Sequence, residues 1–275
     1  MDVLENRIKS LLEPYVNRAR YAINSVLEEE ISSPFYHPLK EFLEGGKKVR
    51  PSLVLIVHDA CKGKGDPLPA SAAIELIHAA SLIHDDLIDR DVLRRGEGSF
   101  HVKNGFEMAL LVVDFILSIV LNIASKYENK KIGEALARAS KRMSIGEMLE
   151  IQALKRAEKI SLDEYLEILR LKTAVLFETA TSLGALIAGR EDISNELGQY
   201  GLYLGMAYQI KDDLMDWWKE GELTSLLEGD DLRDLLEGLA ENLALEAVSK
   251  LDVLEDSPQK DLLRDIAFFS VRRNF

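Results

Sequence analysis

Acidic side chains recur in one pattern, Asp-Asp-x-x-Asp, at two distant places in the chain. The copies comprise Asp85, Asp86 and Asp89 in HDDLIDRD, and Asp212, Asp213 and Asp216 in KDDLMDW. If each segment is helical, the first and last aspartates of a copy lie four residues apart on one face. Such like charges repel each other and invite a cation that prefers oxygen ligands, namely Mg²⁺. Because Mg²⁺ completes its shell with phosphate oxygens and water, two facing copies predict a bound diphosphate. The alternative is two solvated acidic helix faces.

Each acidic copy follows a long apolar stretch, AIELIHAASLIH in the first case and YGLYLGMAYQI in the second. This order places negative charge at the mouth of a cleft and apolar surface below it. It therefore indicates a substrate with an anionic head and a hydrocarbon tail. A plain bundle core that ends at a wet rim would show the same periodicity.

Basic residues are placed where such an anion would need them. In GGKKVRP, the cations Lys47, Lys48 and Arg50 adjoin two glycines and precede Pro51, so flexible backbone and a helix start both favour phosphate. Three more candidates, Arg94, Arg95 and His101, follow the first acidic copy in DVLRRGEGSFH. Lys172 and Thr173 lie in the apolar stretch LRLKTAVLF, where a lysine is costly to bury unless it meets an anion or extends to solvent.

Composition narrows the class of protein. The chain has 275 residues, 47% of them hydrophobic, and a formal net charge of -13, which argues against nucleic acid as a partner. The single cysteine, Cys61, excludes an intramolecular disulfide and is typical of a reducing compartment. No charged-then-apolar leader opens the sequence, so we expect a cytoplasmic protein.

Helical periodicity extends through almost the whole sequence, and residues 70–257 contain no proline. We predict an all-α fold, a large single-domain helical bundle over residues 1–275 with a central apolar cavity. Ser161 and Glu164 form a capping box, and Gly189 follows the end of that helix. The predicted helices lie near residues 2–30, 36–44, 51–62, 68–90, 105–126, 130–157, 162–188, 194–219, 230–252 and 256–272.

The segment 108–124 is apolar on almost every side, but Asp114 and Asn122 interrupt it. It is also shorter than the ~20 residues of a usual membrane span, so we predict no transmembrane segment. We interpret it as a central helix of the bundle. It could also line an apolar cavity or form a dimer interface.

Taken in order, GGKKVRP, ELIHAASLIHDDLIDRDVLRRG, the downstream His101, LKTAVLF and GMAYQIKDDLMD resemble the motifs of the trans-isoprenyl diphosphate synthases, the polyprenyl synthetase family. The resemblance extends from about Gly45 to Asp216, and collinear agreement of five motifs is more specific than any one of them. It implies the isoprenoid synthase type I fold, a homodimer and two or three Mg²⁺ ions. The implied reaction joins isopentenyl diphosphate head to tail with an allylic prenyl diphosphate.

The resemblance also assigns roles to individual residues. Asp85 and Asp89, with Asp86 nearby, are similar to ligands of the Mg²⁺ ions that bridge to the allylic diphosphate. Asp212 would bind a further Mg²⁺ whose water shell Asp213 and Asp216 orient. Arg94 and Lys172 would clamp the allylic diphosphate. The isopentenyl diphosphate site would comprise Lys47, Arg50, His78, Arg95 and His101. The positions that line the reacting centre are those of Thr173, Tyr208 and Gln209.

Product length is expected to follow the depth of the apolar cleft. Ala80 and Ser81 stand five and four positions before Asp85, where family members with short products carry a bulky aromatic residue. Both residues are small, so we predict a product of more than twenty carbons. We expect the floor of the cleft at Ile77, Ile74 or the helix that contains Phe115, Ile119 and Leu121.

Some features depart from the family pattern. After Asp216 the usual glycine- and lysine-bearing segment is shortened, and only Lys219 and Arg233 supply cations. Val113 stands where glycine is common, and Tyr208 replaces the usual phenylalanine. Arg272 and Arg273 are similar to the basic tail of many members. These departures leave open a non-catalytic or regulatory subunit of a heteromeric synthase. A class I terpene cyclase or head-to-head enzyme is a third alternative, although such enzymes generally lack GGKxxRP.

Overall fold

The structure is a computed structural model, and it describes residues 3–156, 158–217, 223–228 and 231–272. The predicted all-α class is confirmed. The helices are α1 Val3–Glu28, α2 Tyr36–Glu44, α3 Val49–Ala60, α4 Leu68–Ile88, α5 Phe100–Asn104, α6 Phe106–Ser125, α7 Lys130–Arg156, α8 Leu162–Leu169, α9 Val175–Ile187, α10 Ser194–Met215, α11 Leu232–Ser249 and α12 Pro258–Arg272. A π-helix, Arg170–Ala174, joins α8 to α9, and short 3-10 turns occupy Glu191–Ile193, Leu223–Leu226 and Lys250–Val253.

Two short features between α4 and α6 escaped the periodicity analysis. β1 (Leu93–Arg94) pairs antiparallel with β2 (Glu97–Gly98), and α5 follows directly. Elements of two to five residues are too short to establish either a helical or a strand period. This hairpin matters because it presents Arg94 and Arg95 beside the end of α4.

The core is built around α3, α9 and α10. α10 packs against α9 and α11, α3 packs against α9, and α4 packs against α6. In α3 the run Leu53–Val57 is completely buried, which is the behaviour of a helix that is apolar all round. The assignment of residues 1–275 to a single domain stays a prediction.

The interpretation of segment 108–124 as a central helix was wrong. α6 buries one face, including Val112 and Ile116, whereas its other face leaves Leu110 and Leu121 exposed. By length and composition alone α6 could cross a membrane. Of its most apolar stretch, 39% is buried inside the protein. It is therefore a peripheral helix whose outer face is unusually apolar.

The helix predicted over 162–188 exists, but the π-helix interrupts it. Ser161 Oγ accepts a hydrogen bond from the Glu164 N–H at 3.2 Å, as the capping box predicted. A glycine on each of the two neighbouring helices, α7 and α10, allows that helix to approach the π-helix closely. A β-carbon at Gly146 of α7 would lie 2.8 Å from Lys172 Cα, and one at Gly205 of α10 would lie 2.8 Å from Ala174 Cα. The π-helix is thus held tightly between α7 and α10.

Candidate active site

A cavity of about 860 Å³ lies between α4, α6, α7, α10 and the π-helix. Along α4 its lining changes from the apolar Ile77 and Ala80 to Asp85, eight residues or about 12 Å further on. Carboxylates from three helices line its polar part, namely Asp85, Glu147, Glu150, Asp212, Asp213 and Asp216. The two acidic copies therefore contribute to one cavity, with apolar surface beside them.

The first acidic copy divides its three aspartates among different environments. Asp85 lines the cavity, whereas Asp89 is exposed at the end of α4 and lies outside the lining. Asp86 is completely buried and accepts hydrogen bonds from Arg94 Nε at 2.7 and 2.8 Å and from Arg94 Nη2 at 2.6 Å. Asp86 thus fixes the β1–β2 hairpin. In this arrangement Arg94, predicted to clamp a diphosphate, is bound to Asp86.

Lys172 lies among acidic side chains of α7. Its Nζ is 2.9 Å from Glu147 Oε2 and forms a shorter ion pair with Glu150. Burial acts to lower the pKa of Lys172, but the charges of Glu150, Asp85 and Glu147 outweigh it and the pKa is raised. The lysine therefore stays protonated inside the cavity.

Asp85 faces the same group of charges. Its pKa is raised to about 7, chiefly by burial; Lys172 lowers the pKa in part, and the neighbouring Glu147 raises it through charge and a hydrogen bond. The pKa of Glu150 is also raised, chiefly by burial. Negative charge thus exceeds positive charge at this end of the cavity, which is the electrostatic condition for binding a cation.

The second acidic copy lies at the end of α10, and all three of its aspartates line the cavity. Asp213 Oδ2 accepts a hydrogen bond from the Tyr165 hydroxyl at 2.6 Å, and Oδ1 accepts one from Gln209 Nε2 at 2.7 Å. Gln209 Oε1 in turn accepts a hydrogen bond from Thr173 Oγ1 at 3.1 Å. This series of hydrogen bonds connects α10 to α8 and to the π-helix.

The three cations of the GGKKVRP segment lie in three different environments. Lys48 has a left-handed φ of 53° and is buried, and its Nζ donates to Leu43 O at 2.6 Å, to Gly45 O, and to Glu75 Oε1 at 2.9 Å. Lys48 therefore holds the loop in place. The prediction that Lys48 contacts phosphate was wrong. Lys47 is exposed at the same loop. Arg50 lines the cavity and stacks over the Phe177 ring, with 4.5 Å from Cζ to the ring centroid.

His78 and Arg95 lie near Arg50. Arg50 Nη1 is 3.1 Å from His78 Nε2, and burial together with the charges of Arg50 and Arg95 places the pKa of His78 well below its usual value. His78 is therefore neutral and accepts from the arginine. The Arg95 guanidinium lies against Gly45 and Gly46, where a β-carbon would lie 2.5 Å from Nη1 and 3.1 Å from Nη2, respectively. The structure thus brings Arg50 and His78 into the lining of the cavity, with Arg95 near enough for its charge to act on His78 but outside the lining.

His101 is separated from this group. It lies on α5, where its Nδ1 is 3.2 Å from Ser99 Oγ. Neither His101 nor Lys47 lines the cavity, and their assignment to a substrate site stays a prediction.

The wall beyond the carboxylates is apolar, as expected, and it includes Ile77, one of the expected floor residues. Ala80, Ser81 and Ile77 line the cavity, and Tyr208 lies across from them on α10. The expected floor residues Ile74, Phe115, Ile119 and Leu121 are absent from the lining, because α6 turns Val113 and Leu117 inward instead. Phe115 points away and stacks on Phe35, with 4.7 Å between ring centroids.

Several lining or supporting residues escaped the sequence analysis: Glu147, Glu150, Tyr165 and Thr224. Glu147 and Glu150 recur at helical spacing beside Gly146, which could have indicated a tightly packed acidic face. Thr224 lies in the short turn after the second acidic copy, and its buried hydroxyl has no hydrogen-bond partner within the described ranges. Nothing in its local sequence distinguishes it.

The departures after Asp216 are only partly visible. Lys219 and Arg273 lie outside the described residues. Arg233 is on α11, 3.7 Å from Glu237, and Arg272 stacks on Phe268, so neither lines the cavity.

The carboxylates suit Mg²⁺ by chemistry, because all are oxygen donors at one end of the cavity. Among residues 3–156, 158–217, 223–228 and 231–272, no three His, Cys, Asp or Glu side chains lie close enough together to hold a metal unaided. Mg²⁺ typically takes only one or two protein carboxylates and shares the rest of its shell with water and phosphates. The arrangement therefore fits an ion that binds together with its substrate.

Comparison with known proteins identifies the family. The family model for polyprenyl synthetase matches residues 32–264. A geranylgeranyl diphosphate synthase of Methanosarcina mazei is 29% identical, over 98% of this chain and 99% of that protein. A short chain isoprenyl diphosphate synthase of Methanothermobacter thermautotrophicus is 35% identical, over 86% of this chain and 73% of that protein.

A crystal structure of a decaprenyl diphosphate synthase from Rhodobacter capsulatus superposes with a TM-score of 0.82. The two chains are 26% identical, and the match covers 97% of this chain and 98% of the other. The extent of these matches confirms the resemblance carried by the five motifs. The chain belongs to the polyprenyl synthetase family, and it is a prenyltransferase.

Proposed function

We propose that this enzyme condenses isopentenyl diphosphate head to tail with an allylic prenyl diphosphate in the presence of Mg²⁺. The observation that carries the proposal is the shared cavity, in which Asp85 and Asp212 come from different helices and Lys172 lies among the same carboxylates. An allylic diphosphate fits this end and its hydrocarbon tail fits the apolar wall. The enzyme is expected in the cytoplasm.

At the polar end, Asp85 and Asp89 of α4 and Asp212 of α10 would hold two or three Mg²⁺ ions. When bound, these ions would polarise the diphosphate oxygens and neutralise charge on the leaving group. Lys172 adds a fixed positive charge that α7 carboxylates keep protonated. Asp86 and Asp213 support the two sites through Arg94 and through Tyr165 with Gln209, respectively.

Isopentenyl diphosphate would bind on the side of Arg50, His78 and Arg95, with Lys47 and His101 at its edge. Arg50 supports this assignment because its buried Nε has no hydrogen-bond partner in the part of the chain that the structure describes. A buried, unpaired donor on a cation is costly unless an anion occupies the adjoining space. Arg94 binds Asp86 through Nε and Nη2, so it would meet a diphosphate through Nη1 or by exchanging those bonds.

The reaction needs no protein nucleophile. The allylic carbon–oxygen bond breaks with its electron pair on the departing diphosphate, and the isopentenyl double bond then attacks the allylic cation. The new carbon–carbon bond forms and a proton is lost to the released diphosphate. Thr173, Tyr208 and Gln209, which line the cavity, would surround the reacting centre, where excluding water would protect the cation.

The product would exceed twenty carbons, since Ala80 and Ser81 leave the wall of α4 open at that level. Val113, Leu117 and Met143 continue the apolar lining beyond them. The exposed apolar face of α6, with Leu110, Leu111 and Leu121, suits a homodimer interface.

The deciding experiment incubates the purified chain with Mg²⁺, isopentenyl diphosphate and allylic starters of increasing length, and then sizes the products. We expect chain elongation and products longer than twenty carbons. A folded protein that elongates no starter would instead support the non-catalytic subunit of a heteromeric synthase. A product of twenty carbons or fewer would contradict only the proposed length.

A further inference from the structure

One buried hydroxyl outside the cavity lies directly behind the second acidic copy. Tyr165 of α8 is completely buried, and its ring packs in a core with Ile168, Ile210 and Leu214. The phenol cannot rotate away because that packing fixes the ring. Its hydroxyl donates to Asp213 Oδ2 at 2.6 Å, whereas Tyr165 itself does not line the cavity.

The other carboxylate oxygen of Asp213 also accepts a hydrogen bond. Gln209 Nε2 donates to Oδ1 at 2.7 Å from one helical turn earlier on α10. Thr173 Oγ1 donates to Gln209 Oε1 at 3.1 Å, and exchanging the two ends of the amide would place its oxygen against the Asp213 carboxylate. Two donors, from α8 and α10, thus fix the position of one carboxylate that faces the cavity, and Thr173 of the π-helix in turn fixes the second donor.

The two bonds determine how Asp213 presents its carboxylate. Each of its oxygens accepts a hydrogen bond, Oδ2 from Tyr165 and Oδ1 from Gln209. Donors at both oxygens restrict the rotation of the carboxylate, because a hydrogen bond weakens steeply when its geometry is lost. The carboxylate of Asp213 is therefore oriented before any substrate arrives.

We propose that Tyr165 is a positioning residue for the metal–diphosphate site, acting through Asp213. The inference rests on the proposed function, since it concerns the Mg²⁺ that the second acidic copy would hold. Partners in this position behind metal sites typically contribute 10–100-fold to metal affinity or activity. Tyr165 would contribute through geometry, because it touches neither substrate nor metal.

The chain offers a matched control for the hydroxyl. Tyr200 of α10 is also completely buried, and its hydroxyl donates to the backbone carbonyl of Leu263 at 2.8 Å, away from the cavity. Tyr165→Phe and Tyr200→Phe remove the same atom from equally buried rings. Any loss due to a missing buried hydrogen bond should therefore be similar in both, and melting temperatures will measure it.

The test measures metal binding without turnover. Mn²⁺ is titrated into each protein with inorganic diphosphate present, and electron paramagnetic resonance follows the free ion. Tyr165→Phe should weaken Mn²⁺ binding about tenfold or more, while Tyr200→Phe binds like the wild type. In activity assays, the Mg²⁺ concentration for half-maximal rate should rise similarly, with the KM for isopentenyl diphosphate within about twofold.

An Asp213→Asn background separates positioning from general damage. Adding Tyr165→Phe to Asp213→Asn should cause no further loss of Mn²⁺ affinity, because the pathway is already interrupted. The proposal fails if Tyr165→Phe binds Mn²⁺ like the wild type, if Tyr200→Phe loses as much, or if the wild type binds none. A wild type that binds Mn²⁺ with diphosphate but elongates no starter would overturn the proposed function alone.

Discussion

The two acidic copies have the same sequence pattern but different surroundings. In the first, the middle aspartate, Asp86, is withdrawn from the cavity and paired with Arg94. In the second, the middle aspartate, Asp213, lines the cavity and is held by the neutral groups of Tyr165 and Gln209. The first copy thus uses a charge to anchor a hairpin, whereas the second uses neutral donors to orient a carboxylate.

The outer aspartates differ as well. Asp85 shares its surroundings with Glu147, Glu150 and Lys172, so its charge is set by a crowded group. The charge of Asp212 acts on Arg50, and Asp216 lines the cavity just after the end of α10. The comparison shows that spacing determines which carboxylates share a helix face, while the neighbouring helices decide what each one does.

The largest expected effect is on catalysis at the first copy. Asp85→Asn should lower the elongation rate about 1000-fold, because metal stabilisation of a leaving group is worth several kcal/mol and about 1.4 kcal/mol corresponds to tenfold. Steady-state rates at saturating Mg²⁺ provide the measurement. Asp114→Asn removes an exposed carboxylate of α6 and should keep the wild-type rate. Equal rates in both variants would remove Asp85 from the site.

The middle aspartates should separate stability from orientation. Asp86→Ala should lower the free energy of unfolding by about 2 kcal/mol. This is less than the usual cost of breaking a buried ion pair, because the Arg94 side chain is 24% exposed. Asp213→Asn should cost about 1 kcal/mol, since Tyr165 and Gln209 are neutral donors and one acceptor remains. Urea unfolding measures both. If Arg94→Ala added its full cost on top of Asp86→Ala, the two side chains would not be coupled.

The crowding around Asp85 predicts a pH dependence in the metal-free protein. Its pKa is raised from 3.8 to about 7, so ionising it costs stability as the pH rises through this window. Asp85→Asn should therefore be more stable than the wild type at pH 8, by on the order of 1 kcal/mol, and the difference should vanish near pH 4. Urea unfolding without Mg²⁺ at several pH values tests this. Asp252→Asn, which removes an exposed carboxylate, is the matched control variant.

The smallest effect on rate is expected from substitutions in the apolar wall of the cavity, which would surround the hydrocarbon tail of the substrate. Five and four residues before the acidic copies, α4 carries Ala80 and Ser81, whereas α10 carries Ala207 and the bulky Tyr208. Ala80→Phe would close the open side and should shorten the product while the first condensation changes little in rate. Chromatography of the products measures their length. Ala80→Ser is the control and should keep the wild-type distribution; an unchanged distribution with phenylalanine would contradict the depth argument.

Sequence reasoning was strongest where a pattern repeats locally. The absence of proline and the helical period predicted the helices, and the five collinear motifs predicted the family. It failed where one helix faces another. The outward face of α6, the Lys48–Glu75 pair and the acidic neighbours of Lys172 all depend on contacts between residues far apart in sequence.

The sequence by itself determined the all-α class, the family and the residue types available for metal and diphosphate. Those properties follow from local spacing and from chemistry that each side chain carries everywhere. Only the tertiary structure decided that Lys48 supports a loop, that Asp86 binds Arg94 and that Tyr165 stands behind Asp213. A charge or hydroxyl acquires such a role from burial and from the partner that packing brings within hydrogen-bond distance, and neither is encoded in the spacing of one motif.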